Sequence, residues 1–195
     1  MTLLPESILT PVLDRNVPRP AFFLDRDDTL IPDVPYLSYP GRVELYPLAV
    51  EGLIMLRNAG YRLILLSNQS GIGRGLFTRE QLKAVHARLQ SLLAAQGVGL
   101  DAAYFCPHAP QESCPCRKPA TGLLEAACHD FPTILEGSAM AGDKEADILL
   151  GRNAGITAIQ ILAPGRKRIE GADYAATDLA DAAAWLLGRR KGDTR

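Results

Sequence analysis

Phe22-Phe23-Leu24-Asp25-Arg26-Asp27-Asp28-Thr29 is an apolar run that stops at two carboxylates spaced i, i+2. Residues 20–25 read as a short buried parallel strand. Further apolar runs follow at 61–66, 102–105, 138–142 and 156–162. Helical patterns fall between them. The stretch 48–59 carries Val50, Leu53, Ile54 and Leu56 and closes at Gly60. Thr78 and Gln81 form a capping-box pattern that opens a helix running to about Gln96. Shorter helices are expected near 121–130, 145–154 and 178–187. Strand and helix alternate, which predicts an α/β fold: a three-layer parallel sheet of about five strands with helices on both faces.

Pro32, Pro35, Pro40 and Pro47 make 31–47 a loop. Residues 1–19, with Pro5, Pro11 and Pro18, read as an irregular arm, and 189–195 as a polar, frayed tail. One domain spanning 20–188 is expected between them. At 195 residues it is large enough to bury a substantial core. The net charge of −1 argues against nucleic acid or an anionic membrane as partner. No apolar run approaches the roughly 20 residues of a membrane span, and the start of the chain lacks a signal-peptide pattern. These features predict a cytoplasmic monomer acting on a small molecule.

In doubly wound sheets, ligands sit beyond the carboxyl ends of the strands. Asp25, Ser67 and Asp143 each end or directly follow a predicted strand, so three distant segments converge on one sheet edge. Asp25 and Asp27 can share a face there. In that pairing Asp25 would attack a phosphorus atom, and Asp27 would protonate the leaving oxygen and then deprotonate water. A magnesium ion between Asp25 and Asp143 would remove the repulsion between carboxylate and phosphate. Ser67 and Lys118 would hold the phosphoryl oxygens. Each element alone has a bland reading: an acidic turn, a helix cap, a surface lysine, a turn at Gly142-Asp143. Their joint order is the specific signal. Gly71, Gly73 and Gly75 fit neither dinucleotide nor P-loop spacing and read as a tight turn.

Cys106, His108, Cys114 and Cys116 lie within eleven residues, with Pro107 and Pro115 between them. Four soft or borderline ligands so close together predict a closed structural zinc site, against the bland reading of free thiols in a loop. Such a zinc-stapled loop would fix Arg117 and Lys118. Cys128 reads as a small core residue, His86 and His129 as surface or partly packed, and Trp185 as a packing anchor.

On Leu24–Asp27, Asp33–Tyr36, Ser67–Ile72, the clip running into Arg117-Lys118-Pro119, and Gly142-Asp143-Lys144, the chain resembles the haloacid-dehalogenase-like phosphatases. Within them it is similar to the D-glycero-D-manno-heptose-1,7-bisphosphate 7-phosphatases and their relatives, the histidinol-phosphate phosphatases. The resemblance implies a core without a large cap domain, which the short 31–47 segment allows. It implies magnesium bound by Asp25, the carbonyl of Asp27, and Asp143. It implies substrate contacts from Arg26, Asp33, Tyr36, Asn68, Gln69, Ser70, Arg117 and Lys144, with Arg117 facing the distal part of the substrate. Ser70, Arg74 and Arg117 favour a second phosphate, hence the heptose bisphosphate over histidinol phosphate. A non-enzymatic zinc module and a phosphotransferase on nucleic-acid ends are the rivals; the catalytic set opposes the first, the absence of a basic stripe the second. Asp28 stands where the family usually has glycine, and Ser67 where it has threonine.

Overall fold

The computed structural model describes residues 6–10, 14–163 and 165–192. In chain order the elements are β1 (Glu6–Leu9), β2 (Ala21–Leu24), α1 (Pro47–Asn58), β3 (Arg62–Asn68), α2 (Arg79–Ala95), β4 (Ala102–Cys106), α3 (Gly122–Asp130), β5 (Ala139–Gly142), α4 (Glu145–Asn153), β6 (Thr157–Ile161), β7 (Tyr174–Ala176) and α5 (Leu179–Gly192). They form one sheet in the order β1-β4-β3-β2-β5-β6-β7. All pairings are parallel except β1 with β4, which is antiparallel.

The alternation of side chains along the central strands sorts the core into two layers. Phe22 and Leu24, with Leu63 and Leu65, face α1, α2 and α5. Phe23, Ile64 and Leu66 face α3 and α4. Phe22 and Phe23 are fully buried, each worth about 1.5–3 kcal/mol of burial. A strand covered on both faces has no polar side to show, which is why the run ahead of Asp25 is unbroken. The strand order reverses at β2, which has β3 on one side and β5 on the other. That switch point is where a crevice opens at the carboxyl ends. The connection from β2 to α1 carries only a 3-10 turn, Pro40–Arg42, and no inserted domain.

Two corrections concern the sheet, which has seven strands where five were expected. Residues 6–9 of the supposed irregular arm are an edge strand, paired from Glu6↔Phe105 to Leu9↔Ala102. Downstream, the buried Arg62 guanidinium donates to the carbonyls of Asp14, Arg15 and Val17 and fastens 14–17 to the domain. Residues 1–5 and 11–13 of the arm lie outside the described residues. The other added strand, β7, has three residues, too few to show a period. At the far end, α5 continues to Gly192, past the expected break at 188, with the Arg189 guanidinium 4.9 Å over the Trp185 ring. Residues 193–195 of the expected tail are outside the described range. Trp185 stacks on Tyr174 at 4.6 Å, as a packing anchor should. No helix among the described residues is long and apolar enough to cross a membrane.

Candidate active site

Asp25 leaves β2 at the middle of the sheet, its N–H donating to Ala141 O at 2.9 Å. Lys118 Nζ lies 2.8 Å from Asp25 Oδ1 and 2.6 Å from Asp147 Oδ1, and donates to Leu66 O at 2.7 Å. All three charged side chains are buried. A buried ammonium is costly unless it is paired, and this one has two carboxylate oxygens and a carbonyl within 2.8 Å. Burial alone would push Asp25 up, but the Lys118 charge and hydrogen bond hold its carboxyl below the ordinary value. Asp25 is therefore an ionised carboxylate at neutral pH, aimed out of the strand end.

Asp147 is the site residue that sequence reasoning missed. It lies on the first turn of α4, accepts from Lys144 N at 3.1 Å, and turns its other oxygen to Lys118. Its spacing of i+4 from Asp143 is the signal that could have found it. Burial pushes Asp147 up to about 6, with Lys118 opposing and Asp25 adding. Asp143 is pushed up to about 7 by burial, against Lys144 and with the help of Asp25 and Asp147. Its Oδ1 is buried and has no hydrogen-bond partner among the described residues. Asp25, Asp143 and Asp147 each offer an oxygen within 4.8 Å of the others. Crowded carboxylates that resist ionisation need a cation, and an all-oxygen set suits a hard divalent one.

On the other side of Asp25, Asp27 sits in a fork. Arg26 Nε and Nη2 donate to its two oxygens at 3.0 and 3.1 Å. Gln69 Nε2 donates to Asp27 Oδ2 at 3.2 Å and to Ser67 Oγ at 3.0 Å, tying acid, amide and hydroxyl into one network. Burial pushes Asp27 up, the Arg26 guanidinium opposes, and the Asp25 charge adds. The two carboxyls thus shift apart, Asp25 toward the ionised form and Asp27 toward the protonated one, the split expected of a nucleophile beside an acid.

A cleft of about 270 Å³ opens over this network, lined by Asp27, Asp33, Tyr36, Gln69, Ser70 and Lys144. Lys144 Nζ reaches across it to Asp33 Oδ2 at 3.2 Å. Tyr36 holds a left-handed backbone at φ 51, uncommon for an aromatic residue, and accepts from Arg74 Nη1 at 2.6 Å. Arg26 and Asn68 also line the cleft and are held by protein contacts. Arg26 is buried in its fork with Asp27. Asn68 gives both ends of its amide to the Lys118 backbone, Nδ2 to Lys118 O at 3.1 Å and Oδ1 from Lys118 N at 3.0 Å. Arg117 is half-buried, with Nη1 3.5 Å from His108 O.

The four clip side chains converge. Cys106 Sγ lies 3.5 Å from His108 Nδ1 and 3.7 Å from Cys114 Sγ; Cys116 Sγ lies 3.3 Å from the same nitrogen and 3.7 Å from Cys114 Sγ. Burial pushes the Cys106 and Cys116 thiols up, so they ionise only beside a cation. Cys128 stands apart and half-buried. His129 is exposed as expected. His86 is not a surface residue: α2 buries it with Leu82, Val85 and Leu89, edge-on to Phe105 at 5.6 Å. Burial pulls it down to about 4, so it is neutral.

Residues 115–183 match the family model described as "HAD-hyrolase-like". A D-glycero-D-manno-heptose-1,7-bisphosphate 7-phosphatase of Thermosynechococcus vestitus is 40% identical, over 87% of this chain and 96% of its own. A D-glycero-beta-D-manno-heptose-1,7-bisphosphate 7-phosphatase of Helicobacter pylori is 44% identical, over 69% of this chain and 78% of its own. Among solved structures, the D,D-heptose 1,7-bisphosphate phosphatase from B. bronchiseptica, complexed with magnesium and phosphate, superposes with a TM-score of 0.78. It is 29% identical and covers 87% of this chain and 99% of its own.

Proposed function

The chain belongs to the haloacid-dehalogenase-like phosphatases, in the heptose-1,7-bisphosphate 7-phosphatase family, and on that premise we propose that it removes the 7-phosphate of D-glycero-D-manno-heptose 1,7-bisphosphate through an aspartyl-phosphate on Asp25. The observation that carries the reading is the cluster of Asp25, Asp143, Asp147 and Lys118 at the sheet's switch point.

Asp25, kept ionised by Lys118, attacks phosphorus. The bond from phosphorus to the sugar oxygen breaks, and Asp27 hands its proton to that oxygen. Asp27, now a carboxylate in the Arg26–Gln69 fork, takes a proton from water. The water attacks phosphorus, inorganic phosphate leaves, and Asp25 is regenerated. Ser67 and Lys118 hold the non-bridging oxygens, with Lys144 assisting from the cleft wall. Asp25, Asp143 and the Asp27 carbonyl would hold magnesium, which when bound neutralises phosphate charge as the carboxylate approaches. Asp33, Tyr36, Gln69 and Ser70 line the substrate's path, and Arg117 faces its distal part.

Cys106, His108, Cys114 and Cys116 would hold a structural zinc ion. A tetrahedral zinc with bonds of about 2.3 Å to sulfur requires sulfur–sulfur edges of about 3.8 Å. The two 3.7 Å edges support that geometry. With four protein ligands the site would staple Arg117 and Lys118 and leave no ligand position for catalysis.

The test is magnesium-dependent phosphate release across the heptose bisphosphate, histidinol phosphate, nucleotides and an aryl phosphate. The bisphosphate should give the highest kcat/KM. Faster turnover of histidinol phosphate would replace the substrate, and no release from any ester would overturn the enzyme. Arg117→Ala should depress kcat/KM for the bisphosphate by roughly 10-fold or more, and for the aryl phosphate much less.

A further inference from the structure

We propose that a second hollow, between the start of α4 and residues 165–173, docks a small phosphate-class anion apart from the reacting phosphoryl group. The hollow is about 380 Å³ and is lined by Asp143, Lys144, Glu145, Gln160, Arg166 and Lys167. Arg166 and Lys167 stand opposite Asp143 and Glu145 there, while the Lys144 ammonium is turned to Asp33. Asp143 belongs to the carboxylate cluster, so a divalent cation on that cluster would leave the two cations opposite Glu145 alone.

The rim is braced from below. Gln160 is buried on β6, donates from Nε2 to Lys167 O at 3.1 Å, and accepts from Ile169 N at 2.8 Å. Arg168 is spent on its own segment, donating to Ala172 O at 2.8 Å and Asp173 O at 3.2 Å. Arg166 N closes a turn on Ala163 O at 3.0 Å. The backbone is thus fixed while Arg166 and Lys167 stand exposed, with no ion pair among the described residues. Two adjacent cations on a rigid base repel each other until an anion sits between them. A guanidinium fork beside a compact ammonium suits a phosphate dianion. Lys144 borders both this hollow and the substrate cleft, so an anion here neighbours the reacting phosphate.

The anion has two possible sources: the second phosphate of the substrate, or free inorganic phosphate. The first source rests on the bisphosphate reading above, with Arg166 and Lys167 in place of Arg117 on the distal phosphate. Direct binding tests the site without turnover. Inorganic phosphate titrated calorimetrically into magnesium-loaded protein should show two binding events, and the double variant Arg166→Ala/Lys167→Ala only one. Arg166→Lys/Lys167→Arg should restore the second. One event in the wild type, or two in the double variant, overturns the site whether or not the protein is a phosphatase. Kinetics then separates the sources. If the anion is the substrate's own, the ratio of kcat/KM for the bisphosphate over an aryl phosphate falls about 10-fold in the double variant. If it is free phosphate, that ratio holds and the non-competitive part of phosphate inhibition disappears. An equal fall for both substrates overturns the proposal, because the two cations then act on the reacting phosphate.

Discussion

The carboxylate cluster and the cysteine clip are both groups that could hold a metal ion, and Lys118 stands two residues from one and in contact with the other. Their physics is opposite. The clip gathers four ligands with nothing left over, the geometry of an ion that stays. The cluster gathers oxygens that resist their own charge, with Asp143 up to about 7 and Asp147 up to about 6, the condition of a site that exchanges its cation. A metal in the clip would brace the residues after it, and one of those, Lys118, contacts the cluster. Breaking one should therefore look different from breaking the other.

The largest expected effect is on the cluster side. Asp25→Asn removes the nucleophile's charge and should lower kcat by at least about 10³-fold. Zinc content and circular dichroism should stay as in the wild type, because Lys118 keeps Asp147 and Leu66 O as partners. Near-normal turnover would remove Asp25 from the nucleophile's role.

Cys116→Ser attacks the clip instead. It should cost the bound zinc, lower Tm by several degrees, and reduce kcat/KM by roughly 10- to 100-fold as Lys118 loses its anchor. Mild chelation of the wild type should abolish activity while zinc is retained, and added magnesium should restore it. Metal analysis that finds no zinc in wild-type protein prepared without chelator would end the distinction between the two sets.

A smaller effect is expected from Asp147→Asn. It removes one of the two carboxylates on Lys118 Nζ and should lower kcat/KM by roughly 10-fold, a charge-assisted hydrogen bond being worth about 1.5–3 kcal/mol. It should also move a pH dependence. Asp143 and Asp147 have raised values, so they are ionised above them and protonated below. Magnesium affinity should therefore weaken as pH falls through about 7. Without Asp147, Asp143 loses a like-charged neighbour and its weakening should begin at lower pH. An identical pH profile in the variant would show that the Asp147 charge does not bear on the Asp143 carboxyl.

What could be read from the chain alone is the part that is local. Asp25, Asp27, Ser67 and Asp143 follow apolar runs, and the clip ligands lie close in sequence, so spacing and strand ends were enough. Asp147 escaped because its role depends on Lys118, which only the folded sheet brings to it. The same holds for the partners that position two cleft residues: the Asn68 amide is held by the Lys118 backbone fifty residues away, and Arg26 closes on its own neighbour, Asp27. Strands β1 and β7 were missed for another reason. Three residues in β7 carry too little period, and β1, with polar Glu6 and Ser7 where the equally short β2 and β5 are unbroken small or apolar runs, is ordered by the ladder it joins rather than by its own sequence.

Asp28 offers the finest test of the cluster's electrostatics. It holds φ 52, the left-handed region that explains glycine at this position in the family it resembles. Asp28→Gly should regain about 1 kcal/mol of backbone strain. It would lose the bond from Asp33 N to Asp28 Oδ1 at 2.9 Å, an exposed contact that water replaces at a cost of about 1 kcal/mol. These offset, so Tm should barely change. The charge does not offset, because Asp28 is among the anions that push Asp143 up. Removing it should ease the approach of the phosphate dianion and lower KM for an aryl phosphate by about twofold, a surface-range Coulomb effect. The opposing path runs through Asp33, which holds Lys144 at 3.2 Å while Asp28 holds Asp33. A KM that rises in Asp28→Gly would show that positioning Lys144 outweighs the removed charge, and would make Asp28 part of the cleft wall rather than a tolerated glycine substitute.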